Sequence, residues 1–195
     1  MKLQIIIGST RPERVSHLLA PWAANEANNL ADTEVEIVDL LDYDLPFLDE
    51  PISPQYNPER KPNPIAQKFL DKISKADAYI LITPEYNRSY SAALKNALDY
   101  IDFQFKQKPV ALLAHGSTGG AQAVSHLRGV LPGLYAITVP SATYFMGQLA
   151  QAIDDQGNLS EELKANPYGP QTSLKNMLTD TKWYSDALSS ARSKN

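Results

Sequence analysis

Three short stretches of this chain gather residue types suited to holding an anion and a flat polar ring. The first is GSTRPERVS, Gly8 to Ser16, directly after an apolar run. Gly8 permits a sharp turn, and Ser9, Thr10 and Ser16 offer hydroxyl groups. Arg11 and Arg14 add two full charges in a chain whose net charge is −4. A helix starting there would present outward N–H groups with partial positive charge. That is chemistry for a phosphate dianion. The stretch lacks the Gly-Lys-Ser/Thr of a P-loop and the Gly-x-Gly-x-x-Gly of a dinucleotide site. A monophosphate therefore fits it better than a pyrophosphate. The alternative is a polar, solvated turn without a ligand.

The second stretch is TPEYNRSYSAALKNALDYI, Thr83 to Ile101. Pro84 ends a strand and stiffens the turn. Tyr86 supplies a flat amphipathic ring, and Asn87 supplies a donor and an acceptor. A planar heteroaromatic ring with carbonyl and nitrogen edges would suit this place; a plain helix start, with Tyr86 packed on its own fold, is the alternative. The third stretch is AHGSTGGAQA, Ala114 to Ala123, whose Gly116, Gly119 and Gly120 let backbone approach a ligand closely. It is not Gly-x-Ser-x-Gly, so Ser117 is a poor candidate for a nucleophile. His17, His115 and His126 do not fall at metal-ligand spacings. His115 either lines a pocket or only hydrogen-bonds locally. No residue is singled out as a general acid, a general base or a metal ligand.

Each stretch follows a strand. Five apolar, β-branched runs stand out: Leu3–Ile7, Val35–Leu40, Ala78–Thr83, Val110–Ala114 and Ala136–Val139. Most lack polar alternation, as a parallel sheet covered on both faces requires. Helical periodicity fills the gaps at 15–30, 65–73, 92–101 and 122–131. The order βαβαβαβαβ predicts an α/β, doubly wound, five-stranded parallel sheet. In the order 2-1-3-4-5 the topological switch lies between the first and third strands. The three polar stretches would then face one crevice. Pro21 predicts a bend or a late start in the first helix. The proline-rich segment 45–64 predicts an irregular connection, serving as a stiff surface loop, a pocket rim or a subunit contact. A polar loop over 154–166 precedes a final helix over 173–188, with Leu174, Leu178, Tyr184 and Leu188 as its packing stripe.

Composition narrows the chemistry. The 195 residues suit one α/β domain, expected to span residues 1–195, and include no cysteine. Disulfides, thiol redox chemistry, thiolate zinc and cysteine-ligated iron–sulfur clusters are excluded, so any redox work needs a bound cofactor. Mild acidity argues against general nucleic-acid binding. The apolar run 3–7 is too short for a membrane span or a leader, and a cytoplasmic protein is expected.

The residues GSTRPERVS, TPEYNRSYSAALKNALDY and HGSTGGAQAVSHLRGVL, with LPFLDEP at Leu45, resemble the motifs of the NADPH-dependent FMN reductases. These are flavodoxin-like flavoproteins that include azoreductases, quinone reductases and chromate reductases. The similarity runs from Met1 to about Gly147. The resemblance implies FMN as cofactor and NADPH or NADH as co-substrate. Ser9, Arg11, Arg14, Val15 and Ser16 sit where the family holds the FMN phosphate. Many members carry serine and asparagine where this chain has Arg14 and Ser16. Pro84, Glu85, Tyr86 and Asn87 sit where the family holds the isoalloxazine, largely through backbone. Ser117, Thr118 and Gly119 line the ring's other edge. The implied reaction is ping-pong transfer from NAD(P)H by way of FMN to a second acceptor, such as a flavin, quinone, azo compound or metal ion. A homodimer or homotetramer is implied as well. The rival readings are a flavodoxin-type electron carrier without turnover, and a flavin-free hydrolase or transferase on the same fold. No motif after Gly147 can be transferred.

Overall fold

The structure, a computed structural model, describes residues 1–194. The five apolar runs form β1 (Lys2–Ile7), β2 (Glu34–Asp39), β3 (Ala78–Pro84), β4 (Pro109–Gly116) and β5 (Ile137–Met146). They pair in parallel in the order β2-β1-β3-β4-β5. Between them run α1 (Ser16–Ala27), α2 (Pro64–Ile73), α3 (Ala92–Asp99) and α4 (Ala121–Val130). After the sheet come α5 (Leu149–Ala152), α6 (Glu161–Ala165) and the long α7 (Pro170–Arg192).

Alternate strand residues serve opposite faces. Ile5, Ile7, Ile80, Ile82 and Leu113 pack with Leu19 and Trp22 of α1 and with Leu174 and Met177 of α7. Ile6, Tyr79, Leu81 and Leu112 pack with Phe69 of α2, Leu94 of α3 and Leu127 of α4. Every residue of β3 is buried, which is why that strand reads as an unbroken apolar run. The chain crosses one face between β1 and β2 and the other between β2 and β3. The carboxyl ends of β1 and β3 therefore lie side by side where the winding reverses.

Three expectations are corrected. β5 does not end at Val139 but continues to Met146. Pro140 interrupts the apolar pattern there, and the ladder to β4 shifts register between Val110 and Leu112. An edge strand with an irregularity is where proline is tolerated. α1 has no late start: it begins at Ser16 and runs through Pro21. The stripe of α7 passes through Leu174, Met177, Leu178, Thr181 and Ser185; the partly buried Tyr184 packs against the same core as expected, whereas Leu188 is half-buried and lies outside the stripe. The buried Thr181 hydroxyl donates to Met177 O at 2.7 Å, so its own helix satisfies it.

The proline-rich segment is irregular but tied down. Asn96 donates to the carbonyls of Leu45 and Pro46 and accepts from Leu48 N. Arg60 forms a two-pronged pair with Glu50 at 2.6 and 2.8 Å and reaches Asp102 at 3.2 Å. The polar loop expected over 154–166 contains α6 and a β-bridge between Ile153 and Leu159. Among the described residues, no helix is long and apolar enough to cross a membrane.

Candidate functional site

The three polar stretches emerge from the carboxyl ends of β1, β3 and β4, which are neighbours in the sheet, and they are fastened to one another. At the first loop, Gly8 N donates to Ile82 O at 2.8 Å. A Cβ on Gly8 would lie 2.6 Å from that same backbone oxygen, so only glycine fits. Ser91 caps α3 by accepting from Leu94 N, and its hydroxyl donates to Gly8 O. Ser9 is buried, and its Oγ lies 3.2 Å from the Tyr86 hydroxyl.

The two arginines of the loop diverge. Arg14 turns back to Asp39 at the end of β2, bonding both carboxylate oxygens, one at 2.6 Å, and also donating to Ser9 O. Its side chain is nearly buried in that pair. Arg11 is exposed, with its guanidinium carbon 5.5 Å from the centre of the Tyr86 ring. It makes no salt bridge with the described residues. Val15 is the N-cap residue of α1, and no side chain caps that helix's first turn. By contrast α2 is capped by Asn63 and α3 by Ser91.

Ser16 lies under the loop, buried, with its Oγ 2.8 Å from His115 Nε2. Burial, and secondarily the charge of Arg11, lowers the His115 pKa from 6.5 to about 4. The ring is thus a neutral tie between the start of α1 and the end of β4.

The second loop holds Pro84 at the buried end of β3, in register with His115. Tyr86 to Ser89 form a tight turn closed by two backbone hydrogen bonds, at 2.8 and 3.0 Å. Its central residues Asn87 and Arg88 both have positive φ, 49° and 69°. The turn is strained for side-chain-bearing residues and exposes both at the crevice rim. Glu85 is half-buried and already engaged. Its Oε2 accepts from Gln122 N at 2.9 Å, capping α4, while Thr118 Oγ1 lies 3.4 Å from Oε1. Glu85 therefore joins the second loop to the third. In the third loop Ser117 and Thr118 are exposed, whereas Gly119 and Gly120 are buried. Gly120 has φ 85°, and a Cβ there would sit 2.5 Å from the Ala114 Cβ.

The twelve candidate residues thus lie on three loops joined at neighbouring strand ends, with the Arg14 side chain turned away to Asp39. Sequence reading missed Asp39 and Ser91. Ser91 carried a signal, a serine immediately before a helical pattern. Asp39 carried none, because its pairing with Arg14 spans 25 residues.

The model of the NADPH-dependent FMN reductase family matches residues 1–151. The chain belongs to that family. An NAD(P)H-dependent FMN reductase of Schizosaccharomyces pombe is 30% identical over 84% of this chain and 86% of its own length. An FMN-dependent NADPH-azoreductase of Staphylococcus aureus is 39% identical over 72% of this chain and 74% of its own. Among solved structures, the flavoenzyme NAD(P)H:acceptor oxidoreductase FerB from Paracoccus denitrificans superposes with a TM-score of 0.68. It is 24% identical and covers 97% of both chains. That likeness shows the flavodoxin-like fold. As a member of this FMN reductase family, the chain is an oxidoreductase that uses FMN and NAD(P)H.

Proposed function

We propose that the crevice at the β1/β3 switch holds FMN and that this FMN reductase passes electrons from NAD(P)H to a small-molecule acceptor in ping-pong order. The observation that carries this reading is the pairing of an uncapped α1 with a charged Arg11 left facing outward beside it. Helix start and cation together fit a phosphate dianion. In this reading Ser9, Arg11, Val15 and Ser16 form the phosphate cradle. Arg14, engaged with Asp39, holds the loop's shape. The backbone of Pro84, Glu85, Tyr86 and Asn87 borders one edge of the isoalloxazine, and Ser117, Thr118 and Gly119 border another.

The residues present fit the group. Gly8 keeps the loop close to β3, Glu85 is already committed to α4 and so brings no free carboxylate, and the turn at Asn87–Arg88 is preset. When bound, FMN supplies the redox centre that this cysteine-free chain lacks. The chain's own contribution is placement: the loops orient the ring, and His115, neutral and held by Ser16, adds no charge beneath the phosphate.

Quinones, azo compounds, free flavin and metal ions are the acceptor classes, and small-molecule acceptors accord with the azoreductase relatives. We place the protein in the cytoplasm as one domain over residues 1–195, acting as a homodimer or homotetramer. Exposed Phe47 and Ile52 of the proline-rich connection, with Leu41 just before it, support self-association. Light scattering at micromolar concentration should give at least twice the chain mass, and a monomer would refute it.

The decisive test separates the two arginines. A hydrogen bond to a charged group is worth about 1.5–3 kcal/mol. Arg11→Ala should therefore weaken FMN binding by roughly ten- to a hundredfold while leaving the melting temperature in place. Arg14→Ala should lower the melting temperature, because it strands Asp39. Unchanged FMN affinity in Arg11→Ala, measured by calorimetry, would overturn the phosphate assignment. Mixing the holoprotein with NADPH separates an enzyme, which bleaches rapidly, from an electron carrier, which does not.

A further inference from the structure

The segment after Gly147 carries no transferable motif, yet it builds a cavity against the third loop. The cavity has a volume of about 450 Å³. Thr118 forms its border with the crevice, and Tyr144 and Met146 at the end of β5 form one wall. Leu163 of α6 and Tyr168, just before α7, form the other. The third loop is pressed onto this wall: a Cβ on Gly119 would lie 3.0 Å from Met146 Cγ.

Two features define what the cavity would take. None of the described residues that line it carries a charge; its polar groups are hydroxyls and one amide. It therefore offers no cation to the phosphates of a nicotinamide nucleotide; the uncapped start of α7, at Gly169 and Pro170, also lines it, and Pro170 brings no N–H there. Its apolar surface is also left in water. Met146 is 68% exposed and Tyr168 is 97% exposed. The backbone that presents Tyr168 is nonetheless fixed: Asn166 Oδ1 accepts from Tyr168 N, and Asn166 O accepts from Gly169 N, both at 3.0 Å. The turn places the tyrosine, while its ring and the uncovered thioether of Met146 stay free to close on a flat apolar guest.

We propose that this cavity is an acceptor subsite that binds the uncharged aromatic part of the electron acceptor, a quinone or aryl-azo ring system, between Tyr168 and Met146. It rests on the reading that Thr118 borders the flavin. The subsite would select among acceptors by their aryl bulk and leave the nucleotide to the crevice itself.

The subsite exists in the chain without flavin, which allows a test independent of turnover. The probe is 1,4-naphthoquinone, titrated by calorimetry into flavin-free protein. Wild type should bind it, and Tyr168→Ala should weaken it roughly three- to tenfold, the range of an aromatic contact. Met146→Gln should weaken it as well, and Tyr168→Phe should restore it. In the FMN-loaded enzyme, Tyr168→Ala should raise KM for the naphthoquinone by a similar factor, with a smaller change in kcat. Naphthoquinone affinity indifferent to both Tyr168→Ala and Met146→Gln would overturn the proposal. So would a loss of ADP-ribose or NADP affinity in Tyr168→Ala, which would make the cavity a nucleotide site. Because the first titration uses flavin-free protein, a failure of FMN to bind the crevice would appear separately.

Discussion

The crevice and the cavity beside it are built on opposite plans. In the crevice, side chains are engaged with one another: Arg14 with Asp39, Ser16 with His115, Ser91 with Gly8, Glu85 with the start of α4. What remains for a ligand is mostly backbone, an uncapped helix and Arg11. In the cavity the backbone is braced and the side chains are free, with Tyr168 and Met146 uncovered. The first plan suits a cofactor that stays in place, since moving any one contact disturbs its neighbours. The second suits a guest that comes and goes, since the Tyr168 ring and much of the Met146 side chain are uncovered.

Substitutions in the crevice should accordingly damage the fold, and the largest effect is expected at Gly8. An alanine there would drive its Cβ to 2.6 Å from Ile82 O, a backbone atom in the central strand that also accepts the Gly8 N–H. Neither strand end can yield without breaking that bond. Gly8→Ala should cost more than about 3 kcal/mol, the tail reached when backbone must shift in a packed core. Urea denaturation measures it. A stability within about 1 kcal/mol of wild type would show that the loops are not fastened as described, and the contrast with the cavity would fall.

The same contrast explains what the sequence made legible. β1 and β3 were readable to within a residue because both faces of each are covered, so their runs are largely apolar, with Gln4 the break in β1. The three loops were readable because glycine, proline and charged residues at strand ends have local causes. The fastenings were not readable. Arg14 finds Asp39 across 25 residues and Glu85 finds Gln122 across 37, and no spacing rule announces such a pair. Arg14 stood apart in sequence only as a departure from the family pattern, and the position of Asp39 shows why its role differs from that of Arg11. The later half of β5 was hidden for a different reason. As an edge strand it alternates buried Val139, Thr143 and Phe145 with exposed positions, and Pro140 falls at its irregularity. The cavity was hidden altogether, because Tyr168 and Met146 are brought beside the third loop only by tertiary packing.

A smaller effect, graded by pH, probes the tie between α1 and β4. His115 is buried, and its pKa is lowered to about 4, from burial first and Arg11 second. In the unfolded chain it returns to about 6.5. As pH falls below 6.5 the unfolded state takes up a proton that the folded state refuses until about pH 4, so stability drops through that window and is fully present above it. A difference of that size corresponds to about 3 kcal/mol at the acid end. In His115→Gln the term vanishes, since glutamine keeps a hydrogen-bonding group toward Ser16 but does not titrate. The variant should start less stable at pH 7 and lose less on acidification, its curve flatter by up to one proton between pH 6.5 and 4. Parallel curves for the two proteins would mean that His115 meets solvent freely, and that the start of α1 is held by something other than a neutral imidazole. Because no His, Asp or Glu is among the described residues that line the cavity, acidification should leave the guest side of the comparison unchanged until the fold itself gives way.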